Sequence, residues 1–121
     1  MENVISTLLL RNLTDVFGEG DPARRRAAIA ELYTEDSVVL LPHGRFDGHP
    51  ALDRIAGELR DGHPAFVYTP HGQPQAVQNS GRVAWGSGLP GQPPAYTGID
   101  VIVEREGKIA ALYVFLDSPP V

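Results

Sequence analysis

The chain contains no cysteine among its 121 residues. This absence excludes disulfide bonds, thiolate catalysis and zinc sites built on cysteine ligands. Proteins of reducing compartments generally fold without disulfides, so the composition fits a cytosolic protein. We therefore expect a cytoplasmic location and a fold that is held together by its hydrophobic core.

Positive charge is also scarce. Ten lysines and arginines stand against 15 aspartates and glutamates, and the formal net charge is −5. The one compact basic run is Arg24-Arg25-Arg26, which is too short to form the basic face that nucleic acids or anionic membranes require. No apolar run approaches the roughly 18 residues of a membrane span, and Arg11 already interrupts the stretch at residues 4–10. The sequence predicts neither a nucleic-acid partner nor a membrane partner.

The remaining composition is that of a globular protein. Hydrophobic residues make up 42% of the chain and charged residues 21%, close to the average for folded domains. A chain of this length has room for one domain and one core. We predict a single domain across residues 1–121.

Three helices are predicted in the first half of the chain. Residues 2–17 place apolar side chains at steps of three and four, which is the stripe of an amphipathic helix. Asp21 and Pro22 are typical of the N-cap and first position of a second helix, which runs to about Tyr33. A third helix follows Gly48 and ends near Arg60.

Strands dominate the rest of the sequence. The β-branched and aliphatic run at residues 37–41 predicts a strand, with a turn from Pro42 and a short return strand at residues 45–47. Five further strands, each bounded by glycine, proline or asparagine, are predicted at residues 65–69, 75–79, 82–88, 95–104 and 108–117. Helices first and antiparallel strands later indicate an α+β domain, with helices packed on one face of a curved, mostly antiparallel sheet of five or six strands.

Four motifs, in order, carry a resemblance to a known superfamily. Gly20-Asp21 precedes the second helix, and Leu-Tyr-Thr-Glu-Asp-Ser-Val at residues 32–38 leads into the first strand. Phe-Asp-Gly-His-Pro-Ala-Leu at residues 46–52 opens the third helix, and Gly-Ile-Asp-Val at 98–101 is followed by Glu-Gly-Lys-Ile at 106–109. In this order and spacing they resemble the SnoaL-like and ketosteroid-isomerase-like branch of the nuclear transport factor two-like superfamily.

The resemblance covers about residues 2–117 and implies a cone-shaped roll. In such a roll a strongly bent sheet wraps over three helices and encloses an apolar pocket, and the outer sheet face usually forms a homodimer. The reaction is not implied, because this superfold hosts isomerases, cyclases, epoxide hydrolases, dehydratases and non-catalytic carriers.

Asp100 is the strongest catalytic candidate. Strand alternation places it on one face with Tyr96, Gly98 and Ile102, in a strand that is otherwise apolar or small. Ketosteroid-isomerase-like proteins have an aspartic acid at the matching position, which donates a hydrogen bond to a developing oxyanion. Desolvation in an apolar pocket would raise the pKa of this carboxyl group, unless a cation such as Arg82 lies nearby. The alternative is an aspartate on a sheet edge or dimer face that pairs with an arginine.

Other residues of the related active sites are missing. The tyrosine that isomerases carry on the first helix falls at Leu13, and their general base falls at Leu41. The Arg-x-Asp strand of limonene epoxide hydrolases falls near Arg82, where Ala84 replaces the aspartate. These departures argue against steroid isomerisation and leave Asp100 to act with other partners.

Asp117 and His43 are the two further catalytic candidates. A two-residue turn at Glu106-Gly107 sets Tyr113 opposite Asp100, which predicts Tyr113, Phe115 and Asp117 on the Asp100 face. Asp117 then resembles the last acid of the epoxide hydrolases, although a solvated strand end is the simpler alternative. His43 lies where the family's first hairpin rims the pocket, and it is either a general base or a solvated turn histidine.

The predicted ligands are small organic molecules. The four histidines lack the spacing of a zinc motif, and no phosphate-binding glycine loop is present, so we expect no metal and no cofactor. The predicted pocket lining, besides Asp100, is Leu13, Phe17, Leu41, Ile55, Leu59, Trp85, Tyr96, Ile102, Tyr113 and Phe115.

Three functions remain open from the sequence. The first is a cofactor-independent acid–base enzyme acting on an apolar oxygenated metabolite through Asp100, by isomerisation, cyclisation, dehydration or epoxide opening. The second is a ligand-binding or accessory protein with the same cavity, and the third is a dimerisation module. The outer sheet face, which a homodimer would cover, is predicted to carry Ile99, Val101, Val103, Leu112, Val114 and Leu116.

Overall fold

A computed structural model describes residues 3–117 of the chain. The helices are α1 (Val4–Arg11), which continues as a π-helix (Asn12–Phe17), then α2 (Pro22–Leu32) and α3 (Gly48–Gly62). The strands are β1 (Tyr33–Leu41), β2 (Gly44–Asp47), β3 (Val67–Val77), β4 (Ser80–Gly88), β5 (Tyr96–Arg105) and β6 (Lys108–Leu116).

Side-chain caps explain where the first two helices begin. The Asn3 carboxamide oxygen accepts a hydrogen bond from the backbone N–H of Ile5 at 2.8 Å. The Asp21 carboxylate accepts one from the backbone N–H of Arg24 at 2.8 Å, and Pro22 takes the first position of α2. Each cap satisfies an N–H group that has no partner inside the helix.

The six strands form one sheet in the order β2-β1-β6-β5-β4-β3. All neighbouring pairs are antiparallel except β1 and β6, which are parallel. The predicted α+β class and the mostly antiparallel sheet of five or six strands are confirmed. The helices pack on the concave face, where Leu9, Ile29 and Leu52 meet Ile102 and Leu112, all of them almost completely buried.

One strand replaces two predicted ones at the sheet edge. Residues 65–69 and 75–79 were predicted as separate strands, but β3 runs through from Val67 to Val77. Its pairing with β4 shifts register between His71 and Gln75. This irregular segment contains Gly72, with φ of 86°, and Pro74, which has no N–H to donate to the neighbouring strand. An edge strand tolerates both residues because it is paired on one side only.

A bulge in β6 overturns the predicted face of two aromatic residues. Arg105 pairs with Lys108 as expected, but the register shifts by one residue between Glu104 and Val103, so Asp100 pairs with Val114 and not with Tyr113. A shift of one residue moves every later side chain to the other face. Tyr113 (41% exposed) and Phe115 (56% exposed) therefore lie on the outer face.

The same shift corrects the predicted outer apolar patch. Leu112 is buried in the core, and Val114 and Leu116 line the concave side. The half-exposed apolar residues of the outer face are instead Ile99, Val101, Val103, Tyr113 and Phe115.

A buried ion pair joins α2 to α3. Arg25, in the basic run at residues 24–26, is only 6% exposed. Its Nε donates to Asp53 Oδ1 at 2.8 Å, and its Nη1 donates to the backbone carbonyl of Glu19 at 3.1 Å. The guanidinium lies against Gly57, where a Cβ atom would come within 2.9 Å of it. Asp53 thus has a structural role.

No helix within residues 3–117 is long and apolar enough to cross a membrane.

We expect Asp53→Ala to destabilise the fold. The substitution leaves the buried Arg25 guanidinium without its carboxylate, which costs about 3 kcal/mol of unfolding free energy. Urea unfolding followed by circular dichroism measures the loss. Glu58→Ala, at an exposed acidic position of the same helix, is the control and should stay within about 0.5 kcal/mol of the wild type. Equal stability of the two variants would show that the ion pair is dispensable.

Candidate functional site

A cavity of about 440 Å³ lies between the helices and the concave face of the sheet. This volume is within the range of small-molecule sites. Its lining is Leu13, Phe17, Leu41, Pro42, His43, Leu59, Tyr68, Trp85, Tyr96, Asp100, Val114, Leu116 and Asp117. Apolar side chains therefore dominate the walls, and a few polar groups are set among them.

Asp100 is the buried polar group of the cavity. It lies in the middle of β5 on the concave face and is 3% exposed. Trp85 Nε1 donates to one carboxyl oxygen at 2.9 Å, and Asn12 Nδ2 donates to the other at 3.4 Å. No other side chain of residues 3–117 hydrogen-bonds to this carboxyl group. Arg82, the cation that could have paired with Asp100, is exposed and donates instead to Gln75 Oε1 at 2.7 Å.

Burial raises the pKa of Asp100 to about 7. Removal from water disfavours the charged carboxylate, while the hydrogen bonds from Trp85 and Asn12 favour it and lower the pKa in part. Desolvation outweighs these two donors because no cation pairs with the group. The predicted rise in pKa is confirmed, and the carboxyl group can exist in both protonation states near neutral pH.

Asn12 links Asp100 to a third buried group. The Tyr33 hydroxyl donates to Asn12 Oδ1 at 2.5 Å, and all three side chains are buried. Burial raises the pKa of Tyr33 well above its usual value, so the phenol stays protonated. The chain of bonds Tyr33–Asn12–Asp100–Trp85 therefore runs from the core to the cavity wall.

Sequence reasoning did not assign Asn12 to the site. Asn12 lay within the apolar stripe predicted for residues 2–17, and a polar residue in such a stripe was the one available signal. Regular helical spacing already places Asn12 on the inward face, but its partner Asp100 lies 88 residues away in the chain, so the pattern of the helix could not reveal the contact.

Three aromatic rings form one wall of the cavity. The Trp85 ring centroid lies 5.4 Å from that of Tyr68 and 5.8 Å from that of Tyr96, the second pair edge to face. Gly98 makes room for the indole, since a Cβ atom there would lie 2.6 Å from Trp85 Cζ2. The Tyr68 and Tyr96 hydroxyls are 3.4 Å apart.

His43 and Asp117 lie at the mouth of the cavity. Both are exposed, and Asp117 Oδ2 accepts a hydrogen bond from Thr97 Oγ1 at 2.7 Å. Leu13 and Leu41 also line the cavity, and both contribute only apolar carbon to its wall.

The structure brings most of the predicted site residues together. Leu13, Phe17, Leu41, Leu59, Trp85 and Tyr96 line the cavity with Asp100, His43 and Asp117. Ile55 and Ile102, predicted as lining residues, belong to the core behind it. Tyr113 and Phe115 are on the outer face because of the bulge in β6. The lining residues that the prediction lacked are Pro42, Tyr68, Val114 and Leu116.

Within residues 3–117, no three histidine, aspartate or glutamate side chains come together as a metal site.

Comparison with solved structures identifies the architecture. A proposed isomerase of the SnoaL-like family from Agrobacterium tumefaciens superposes with a TM-score of 0.87 at 23% identity, over 95% of this chain and 98% of that one. A proposed ketosteroid isomerase from Kribbella flavida gives a TM-score of 0.72 at 19% identity, over 98% and 83% of the two chains. The chain has the SnoaL-like fold. No protein-family model matches it, and neither does any curated protein.

The SnoaL-like fold by itself does not decide the activity. A de novo designed protein with a curved β-sheet matches this chain with a TM-score of 0.72 at 15% identity, over 97% of this chain and 88% of that one. The same architecture thus occurs in a protein with no natural history, and function has to be argued from the site.

The raised pKa of Asp100 makes stability depend on pH. The folded protein keeps the proton up to about pH 7, whereas the unfolded chain releases it near pH 4. Stability from this group is therefore fully present below about pH 4 and lost as the pH rises through about 7. Asp100→Asn does not titrate, so its unfolding free energy relative to the wild type should rise by about 4 kcal/mol between about pH 4 and 8.

Urea unfolding of both proteins across this pH range tests the expectation. Asp61→Asn, at an exposed acid near the end of α3, is the matched control and should show a difference that does not change with pH. An Asp100→Asn difference that is equally flat would contradict a raised pKa in the folded state.

Proposed function

We propose that this protein is a cofactor-independent acid–base enzyme that acts on a small, apolar, oxygenated molecule. Asp100 is the group that carries the proton. The observation behind the proposal is a carboxyl group that faces a cavity of about 440 Å³, is 3% exposed and has a pKa of about 7. A group that titrates near the working pH is suited both to deliver and to retrieve a proton.

The hydrogen-bond network supports both protonation states of Asp100. When the carboxylate is charged, Trp85 Nε1 and Asn12 Nδ2 donate to it. When it is protonated, the Asn12 amide can turn its oxygen towards the acid, because the Tyr33 hydroxyl can accept from the amide as well as donate to it. Proton transfer then needs no charged partner inside the core.

A second polar group would come from the mouth of the cavity. His43 and Asp117 are the two titratable side chains there, and we assign them as candidates for the complementary acid or base. A ligand held against Trp85 could contact Asp100 at its inner end and one of these residues at its outer end. Leu13 and Leu41 add only apolar contact, so the chemistry should differ from that of a steroid isomerase.

Non-catalytic ligand binding is the second candidate function. The favouring observation is that Asp100 has hydrogen bonds to Trp85 and Asn12, while His43, Tyr68 and Tyr96 form none with its carboxyl group in residues 3–117. A single acid without a nearby partner can also serve to orient a bound molecule.

Proton exchange on a probe ketone distinguishes the two candidates without knowledge of the natural substrate. β-Tetralone in D2O exchanges the hydrogens next to its carbonyl, and proton NMR follows the rate. An enzyme with Asp100 as base should exceed the buffer rate, increasingly as the pH rises through about 7. Asp100→Asn should lose about 100-fold or more of this excess rate.

The controls of this experiment separate binding from chemistry. Glu58→Gln, at an exposed acid of α3, should exchange like the wild type. Quenching of Trp85 fluorescence reports whether the ketone occupies the cavity. Binding of the ketone without any exchange above buffer would reject the acid–base proposal for this substrate class and favour the binding protein.

We also propose that the protein forms a homodimer through the outer sheet face. This face carries Ile99, Val101, Val103, Tyr113 and Phe115, and contiguous apolar patches of this kind commonly mark interfaces. Phe115 is 56% exposed in the single chain.

Phe115→Asp should convert the dimer to a monomer, because it places a charge on the apolar face at its most exposed named residue. Light scattering at micromolar concentration measures the mass. Leu10→Asp, at an exposed apolar position on α1, is the matched control and should leave the dimer intact. A wild-type protein of monomeric mass would refute the proposal.

A further inference from the structure

Three hydroxyl groups lie side by side across the concave face of the sheet. In the strand register, Tyr68 of β3 pairs with Ser87 of β4, and Ser87 pairs with Tyr96 of β5. Residues paired across strands share a face, so all three side chains point to the same side. Tyr68 and Tyr96 line the cavity, and Ser87 stands between them.

The three hydroxyls have unused hydrogen-bonding capacity. Ser87 is 1% exposed, and its Oγ forms no hydrogen bond of good geometry within residues 3–117, although it lies near enough to the Tyr68 hydroxyl to lower the pKa of that phenol in part. The contact between Tyr68 and Tyr96 at 3.4 Å is long for two hydroxyl groups. In that pair one phenol donates and the other accepts, so the accepting phenol keeps its own hydrogen for a further acceptor. A buried polar row of this kind is costly unless a ligand or water completes it.

The Tyr68 phenol is a donor at any physiological pH. Burial and then the hydrogen bond to Tyr96 raise the pKa of Tyr68 far above its usual value, and the nearby Ser87 lowers it in part. A ligand oxygen placed at the cavity side of the row would therefore meet a neutral O–H donor.

The hydroxyl row is separate from Asp100 but faces the same cavity. Tyr96 and Asp100 are four residues apart on β5, so their Cα atoms are separated by roughly 13 Å. Trp85 fills the space between them, with its Nε1 on the Asp100 carboxyl and its ring against Tyr68 and Tyr96. A flat ligand lying on the indole would have one end at each polar group.

The charge of the cavity limits which ligands fit. Among the lining residues in the described part of the chain are two aspartates and no lysine or arginine. A carboxylate or phosphate ligand would meet no compensating cation and would be repelled by Asp117 and by ionised Asp100. Neutral oxygen functions, such as ketones, phenols and alcohols, avoid this cost.

We propose that the Tyr68 and Tyr96 hydroxyls, with the buried Ser87 behind them, form a second polar subsite that binds a neutral oxygen, so that the ligand carries two oxygen functions at opposite ends of a flat apolar body. The second subsite extends the proposed function, because it specifies the ligand of the same cavity. It rests on the proposed function only in assuming that this cavity binds the ligand. Acid–base chemistry at Asp100 can fail while this subsite stands, because the test below measures affinity and not turnover.

Calorimetric titration with matched phenols tests the subsite. The pairs are phenol and hydroquinone, naphthol and the naphthalenediol with hydroxyls at opposite ends, and phenylphenol and biphenol. Each pair differs by one hydroxyl, and the pairs span three oxygen spacings. In the wild type, at least one diol should bind about five- to tenfold more tightly than its partner.

Variants of Tyr68 and Tyr96 test whether their hydroxyls cause the tighter binding of the diol. Replacing both tyrosines, Tyr68→Phe with Tyr96→Phe, should reduce the gain to less than about twofold. Each single replacement should give an intermediate value, which guards against misfolding of the double variant. Tyr113→Phe removes a tyrosine hydroxyl on the outer face and should keep the full gain.

Two results would overturn the proposal. One is a wild type that gains nothing from the second hydroxyl at any of the three spacings. The other is a gain that survives in both single variants and in the double variant, because the second oxygen would then bind elsewhere in the cavity.

Discussion

The buried carboxyl group of Asp100 has to be satisfied inside an apolar cavity, and the neighbouring structure is arranged around this constraint. One oxygen receives the Trp85 indole N–H at 2.9 Å and the other the Asn12 amide at 3.4 Å. The Trp85 indole occupies the space that a side chain at Gly98 would fill. The Asn12 amide oxygen accepts a hydrogen bond from the Tyr33 hydroxyl. A polar group buried without such partners would cost several kcal/mol. The π-helix, β1, β4 and β5 each contribute one side chain to this hydrogen-bonded group.

The burial of the Asp100 carboxyl group also lowers the stability of the folded protein at neutral pH. A carboxyl group held away from water at a pKa of about 7 weakens the fold at neutral pH, because the charged form is poorly solvated. That cost would have no evident benefit in a purely structural position. Groups in clefts whose pKa values are strongly shifted are typical of functional sites. The proposed role of Asp100 in proton transfer would account for the cost.

The cavity also explains why the fold alone does not reveal the substrate. The three solved structures described above share the fold of this chain at 15 to 23% sequence identity, and one of them is a designed protein. What is particular to this chain lies in its lining: leucines at positions 13 and 41, an aromatic wall and a row of hydroxyls. These side chains set the polarity and shape that a ligand has to match.

The sequence by itself determined the class of fold and the order of most elements. Apolar periodicity and the caps at Asp21 and Pro22 are local signals, and local chemistry is enough to interpret them. The motifs at residues 46–52 and 98–101 indicated the cone-shaped roll. For Asp100 the strand alternation left two alternatives, a buried carboxyl group with a raised pKa and an outer-face aspartate paired with an arginine, and the tertiary structure has the first.

The tertiary structure decided which side chains share the cavity with Asp100. One extra residue in β6 moved Tyr113 and Phe115 to the outer face and brought Val114 and Leu116 inward. A bulge depends on how two strands pair and twist, and no residue pattern near Glu106-Gly107 predicts the bulge in β6. The contact between Asn12 and Asp100 joins positions 88 residues apart. Strand register and contacts between distant residues arise only when the elements pack, and for that reason they were absent from the sequence pattern.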